Sequence, residues 1–124
     1  MKDFNWSIKN KSNNSNARTG IISTPHGEIK TPAFIFCATK AALKSFTTKD
    51  AKENNTQIIL SNTYHLMLQP GPEIIAKEGG LQNFTQWNGP MMTDSGGYQI
   101  FSLGHGSVSE EIKGRNKNIK SDAW

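Results

Sequence analysis

Three short apolar runs punctuate an otherwise polar chain, and each gives way abruptly to polar residues. Ala33-Phe34-Ile35-Phe36-Cys37 runs into Ala38-Thr39-Lys40, Ile58-Ile59-Leu60 into Ser61-Asn62-Thr63-Tyr64-His65, and Pro90-Met91-Met92 into Thr93-Asp94-Ser95-Gly96-Gly97. Unbroken runs predict strands buried on both faces, as in parallel sheets. Thr47-Thr48-Lys49-Asp50 offers a hydroxyl cap and an acidic first turn for a helix ending near Asn54-Asn55. Pro72 suits the first position of a second helix through Ile74, Ile75 and Lys77, which Gly79-Gly80 would stop. Leu81 and Phe84 predict one more turn, and Trp87-Asn88-Gly89-Pro90 a turn into the last run. Strands alternating with helices predict βαβ units and a parallel sheet. Sites in such folds gather at the carboxyl ends of the strands. Thr39, the Asn62 block and Asp94 are therefore expected on one edge. A (β/α)8 barrel takes about 250 residues, so only some of its strands fit here.

The flanking segments read differently. Residues 1–19 are polar, with a loop over Asn13-Asn14-Ser15-Asn16. Gly20-Ile21-Ile22 and Glu28-Ile29-Lys30 are short strand candidates, and Pro25-His26-Gly27 supplies hairpin turn chemistry between them, with His26 an exposed turn residue. Gly104-His105-Gly106-Ser107 is loop-like. Beyond Glu110-Glu111, Lys113, Arg115, Lys117 and Lys120 form a basic run without apolar period, the pattern of a solvated or disordered face, with nucleic-acid contact as the lesser reading. No internal repeat is present.

At 124 residues the chain fits one ordinary domain. Its apolar fraction of 35% is low for a well-filled core, since about 45–50% is usual when Gly is included. A net charge of +4 is compatible with an RNA partner without demanding one. Cys37 is the one cysteine, so an internal disulfide and a Cys-rich metal cluster are excluded, and within its apolar run it is expected to be a buried small hydrophobe. The start has no apolar leader-like region, and no stretch approaches the roughly 18 apolar residues of a membrane span, so the default expectation is a cytoplasmic protein without a membrane partner.

The candidate chemistry lies in the two polar blocks. Asp94, beside Ser95, Gly96 and Gly97, suits a general acid or base, a nucleophile, or a fixed acceptor for ring N–H groups; the plain alternative is a surface turn. Tyr98 suits stacking on a planar base or a packing role. Asn62 offers a donor and an acceptor to a sugar or base edge. His65 reads first as a hydrogen-bonded structural residue and second as a catalytic one. Walker and GxGxxG patterns are absent. The residues alone lead to part of an α/β enzyme with an Asp-centred site for a small polar or planar group.

Ser61-Asn62-Thr63-Tyr64-His65-Leu66-Met67-Leu68-Gln69-Pro70-Gly71 and Met92-Thr93-Asp94-Ser95-Gly96-Gly97-Tyr98-Gln99-Ile100-Phe101-Ser102-Leu103, with their spacing and with Thr31-Pro32-Ala33-Phe34 and Gly20, resemble the tRNA-guanine transglycosylase family in its bacterial branch. The resemblance runs from about residue 4 to about residue 112. It implies a (β/α)8 barrel with an added N-terminal antiparallel sheet, and exchange of an anticodon guanine in tRNA for a queuosine precursor base. In the family a carboxylate attacks the ribose C1′ and a covalent RNA intermediate forms. By the same resemblance Asp94 falls on the first of two essential aspartates, which helps bind the base and handles protons. Ser95, Gly96 and Tyr98 would line the base pocket, with Tyr98 stacking on the base, and Leu60, Asn62 and Cys37 would meet the ribose. Three positions depart from the family: Cys37 stands where Val is common, Gln69 where Arg is common, and Ser61 where Gly or Ala is common. The aspartate nucleophile and the three-Cys, one-His zinc site belong to the family's later half, so no cofactor is expected in this chain. The expectation is an N-terminal portion, an incomplete (β/α)8 barrel over residues 1–112, with 113–124 an unmatched, disordered basic tail. Such a portion, from a truncated or frame-disrupted gene, is expected to be inactive alone. Its expected partners are tRNA and guanine or a precursor base, with a homodimer possible for the full-length family. The alternative is a non-catalytic remnant that binds RNA or a partner protein.

Overall fold

Two three-stranded sheets carry the chain, one antiparallel and one parallel, in a computed structural model that describes residues 4–104. Residues 105–124, including the segment expected to be a disordered tail, lie outside the described residues. The antiparallel sheet is β1 (Asn5–Lys11), β2 (Arg18–Thr24) and β3 (Gly27–Thr31) in sequential order. The expected turn joins β2 to β3: Thr24 pairs with Gly27, and the Thr24 hydroxyl donates to the Gly27 carbonyl at 2.8 Å. His26 is exposed at this turn, as expected. Trp6, Ile22 and Ile29 align across the sheet, so they share a face, and Ile29 is buried. A Cβ on Gly20 would fall 2.5 Å from the Trp6 ring, so only glycine fits under that indole. β1 lies where a polar stretch was expected; the alternation of Trp6 and Ile8 with Ser7 and Lys9 is the strand signal that reading passes over.

The parallel sheet is β4 (Phe36–Cys37), β5 (Ile59–Ser61) and β6 (Met91–Thr93), in that order. β4 is shorter than the apolar run that predicts it. β5 begins at Ile59 opposite Phe36, so residues before Phe36 have no ladder to join, and Phe34 is exposed with its ring edge-on to Phe36. Between and after the strands come α1 (Thr48–Glu53), α2 (Thr63–Leu68), α3 (Pro72–Lys77), α4 (Leu81–Thr85) and α5 (Gly97–Gly104). α1 starts with the expected cap: Thr47 Oγ1 accepts the Asp50 N–H, while the Asp50 carboxylate accepts the Thr47 N–H. α3 opens on Pro72 as expected. α2 and α5 were not expected, because their first turns are the polar blocks read above as chemistry.

The faces of the parallel sheet differ. Phe36, Ile59 and Met91 form one row in register and pack on Ala38, Leu43, Ala51 and Trp87, which is the core. Cys37, Leu60 and Met92 form the row on the opposite face. Cys37 is exposed, not buried as expected: the pleat turns it away from the side that the core covers. The amino end of the sheet meets the antiparallel sheet. The Gln57 side-chain amide accepts the Lys30 N–H at 2.7 Å and donates to the Lys30 carbonyl at 3.3 Å, closing the outer edge of β3. The buried Trp87 indole donates to the Pro90 carbonyl at 2.9 Å beside it. The site residues sit at the other end.

Candidate functional site

The carboxyl ends of β4, β5 and β6 are drawn together by backbone and side-chain bonds. The Asn62 N–H donates to the Thr39 carbonyl at 3.1 Å, and the Ser61 hydroxyl, fully buried, donates to the Ala38 carbonyl at 3.0 Å. Thr39, Asn62 and Asp94 thus share one edge, as the pattern of runs predicts. The Ser61 hydroxyl thereby ties β5 to the end of β4.

Asp94 leaves β6 and turns onto the first turn of α2. Its Oδ2 accepts a short hydrogen bond from Asn62 Nδ2. Its Oδ1 accepts the Thr63 N–H at 2.8 Å. Its backbone carbonyl accepts the Thr63 hydroxyl at 2.5 Å. The carboxylate therefore meets a helix N-terminus, where free N–H groups and the helix dipole favour an anion. Asn62 has a second duty as the N-cap of α2, its Oδ1 accepting the His65 N–H at 2.9 Å. Asn62 is 6% exposed, with both ends of its amide engaged. His65 contributes its backbone to this cap and sets its ring edge-on to Tyr64.

Gly96 fits against the same turn. Its φ is +67°, and a Cβ there would lie 3.0 Å from Tyr64 Cβ and 3.2 Å from the Tyr64 nitrogen. Glycine meets both demands, positive φ and close approach. The Ser95 hydroxyl accepts the Gly97 N–H at 3.3 Å as α5 begins, and Ser95 is exposed. Tyr98 projects from α5 with 74% of its surface open. Leu60 and Cys37 lie side by side in register on the open face, two residues or fewer from the edge. The structure thus brings Asn62, Asp94 and Gly96 into one contact network and sets Leu60 and Cys37 beside each other, while Ser95 and Tyr98 stay on the surface of the following turn and helix. Thr63 is the residue that sequence reasoning missed. Its signal was its place directly after the Asn cap, where the backbone N–H of a helix is free.

Lys40 also reaches this edge, where its ammonium donates to Gln69 Oε1 at 3.0 Å. An Arg at 69 would set a second cation against Lys40; the neutral Gln accepts its proton instead. Among the described residues no cluster of three His, Cys, Asp or Glu side chains is arranged to hold a metal, and no helix is long and apolar enough to cross a membrane.

Comparison with known proteins gives a consistent result. The family model described as queuine tRNA-ribosyltransferase matches residues 12–122, so the match continues past residue 112. The chain is 50% identical over 110 residues to a queuine tRNA-ribosyltransferase of Roseiflexus sp. (strain RS-1), covering 89% of this chain and 28% of that protein. It is 47% identical over 97 residues to the protein of that name from Desulforamulus reducens, covering 78% and 26%. It is 50% identical over 101 residues to that of Synechococcus sp. (strain CC9311), covering 82% and 27%. The chain therefore spans little more than a quarter of the length of these relatives. With a match of this extent on both grounds, the chain belongs to the queuine tRNA-ribosyltransferase family.

Proposed function

We propose that this chain supplies the N-terminal part of a tRNA-guanine transglycosylase that exchanges an anticodon guanine for a queuosine precursor base on cytoplasmic tRNA. In this reading β4, β5 and β6 are strands of a (β/α)8 barrel, β1–β3 are its added sheet, and residues 1–112 belong to the barrel portion. Asp94 meets the N–H edge of the base and passes protons to and from it. Ser95, Gly96 and Tyr98 surround the base, with Tyr98 stacking on its face, and Leu60, Asn62 and Cys37 approach the ribose. Bond exchange at C1′ requires a carboxylate nucleophile, which by the resemblance of the polar blocks belongs to the family's later half. The family's three-Cys, one-His zinc site cannot be built from a chain with one cysteine.

The observation that carries the reading is the meeting of Asn62 and Asp94, from two separate polar blocks, at one sheet edge. Asp94 already holds two donors on its carboxylate. Binding a base therefore exchanges one charged hydrogen bond for another, at little net cost, rather than desolvating a bare charge. The test is a chimaera that joins this chain to the remaining length of the Roseiflexus relative, assayed with labelled guanine and unmodified substrate tRNA. The 124-residue chain alone serves as the inactive control. Asp94→Asn in the chimaera should lower incorporation by roughly ten- to a hundredfold, the range of one charged hydrogen bond. Undiminished incorporation by the Asn variant contradicts the assignment.

A further inference from the structure

The geometry points to Thr63 as a positioning residue whose hydroxyl fixes the backbone of Asp94. This rests on Asp94 being the base-binding carboxylate. Thr63 grips Asp94 at two points of different character. Its backbone N–H holds Oδ1 at 2.8 Å, a bond that depends on where the carboxylate points. Its hydroxyl holds the carbonyl oxygen of Asp94 at 2.5 Å, and that bond is independent of where the carboxylate points.

The segment needs such an anchor. Asp94 lies just beyond the last residue of β6, Thr93, so the sheet ladder no longer holds it. α5 begins only at Gly97, leaving residues 94–96 between two regular elements. Within that span Gly96, at positive φ, rests on Tyr64, the residue next to Thr63. The Thr63 hydroxyl and the Tyr64–Gly96 contact together seat residues 94–96 on the first turn of α2. Asn62 belongs to the same seat, but its side-chain amide bonds the carboxylate and the helix cap rather than the Asp94 backbone. Thr63 itself is exposed on α2, so its hydroxyl is not required for packing the core.

The test separates this role from a structural one. In the chimaera described above, Thr63→Val keeps the backbone N–H and the branched shape and removes the hydroxyl. It should lower kcat by roughly ten- to a hundredfold, the cost of a small misplacement of a reacting group, while KM for tRNA stays within about twofold. Thr63→Ala should behave like Thr63→Val, and Thr63→Ser should restore most of the rate. Parent-like kcat in both Thr63→Val and Thr63→Ala overturns the proposal, as does a Ser variant as slow as Val. In the 124-residue chain, amide hydrogen exchange at Ser95 and Gly96, read by NMR, should quicken in the Val and Ala variants and return to the parent rate in Ser. Unchanged exchange in Val and Ala also overturns it. A parent chimaera that exchanges no guanine defeats the reading of Asp94 instead, and the hydrogen-exchange result then decides the backbone clamp alone.

Discussion

Each end of the parallel sheet is tied by a side-chain amide, and the two amides have different partners. At the amino end Gln57 binds a backbone N–H and a backbone carbonyl of Lys30, imitating one more rung of the antiparallel ladder. At the carboxyl end Asn62 binds a backbone N–H of α2 and the carboxylate of Asp94. The Gln57 contact is neutral on both sides and closes an edge that otherwise presents unpaired groups. The Asn62 contact has a carboxylate partner, so one side chain holds both the cap of α2 and the position of Asp94. One end of the sheet is tied between backbone groups, and under the proposed function the other is tied at the carboxylate that meets the base.

Both ends depend on the core between them, and Trp87 is the place to break them together. Its side chain is 2% exposed, packs on Ile59 and Ala51, and bonds to the Pro90 carbonyl just before β6. Trp87→Ala should cost about 3–5 kcal/mol, comparable with the whole stability of a marginal domain. Circular dichroism on heating should show loss of the cooperative transition, with the amino-end and carboxyl-end contacts disappearing in the same step. Survival of either end after that substitution would mean that the ends are independent units.

The sequence makes one half of this comparison easier to read than the other. The strands β4–β6, the hairpin turn and the caps of α1 and α3 follow from apolar runs, Pro25-His26-Gly27, Thr47 with Asp50, and Pro72. The edge shared by Thr39, Asn62 and Asp94 follows from strand order alone. Other features depend on tertiary contacts that periodicity does not carry. α2 and α5 are helices whose opening residues look like a catalytic block and a glycine turn, so local chemistry masks local structure. β1 rests on a brief alternation around Trp6 and Ile8. Cys37 sits in an apolar run yet is exposed, because a run does not say which of two faces the core will cover. Thr63 shows in the sequence only as the position after Asn62, which gains its meaning once Asp94 is seen against it.

A paired substitution sharpens the comparison. Gln57→Ala in the 124-residue chain removes two neutral bonds near the surface and should cost about 1–2 kcal/mol. Asn62→Ala removes a helix cap and should cost about 0.5–2 kcal/mol, a similar amount. Urea unfolding should give similar falls in midpoint at an unchanged slope. In the chimaera the two should part: Gln57→Ala keeps guanine exchange, and Asn62→Ala lowers it by roughly tenfold or more as Asp94 loses a donor. Equal loss of exchange in both would reduce the carboxyl end to another stability contact.

The smallest effect is expected at Asp50, a carboxylate that is well bonded but lies outside the site. The Thr47 hydroxyl and then the Thr47 backbone N–H hold its pKa below the ordinary value of 3.8, against a lesser upward push from burial. A carboxyl whose folded pKa lies below its unfolded one binds fewer protons in the folded state. Its contribution to stability is therefore complete above the ordinary value of 3.8 and is lost as pH falls through the lower, folded value. The chain should accordingly lose a small part of its stability below that pH, and Asp50→Asn should remove this part of the slope. Thr47→Ala should weaken it too, since the leading cause of the shift goes with the hydroxyl. Because both residues are exposed, solvent screens the pair and the change should be confined to α1. Melting temperature measured from neutral pH down through the aspartate range, for the parent and both variants, provides the check. An unchanged acid slope in Asp50→Asn would remove the capping box from the account. A loss of guanine exchange in that variant would contradict the separation drawn here between carboxylates that cap helices and the one that faces the site.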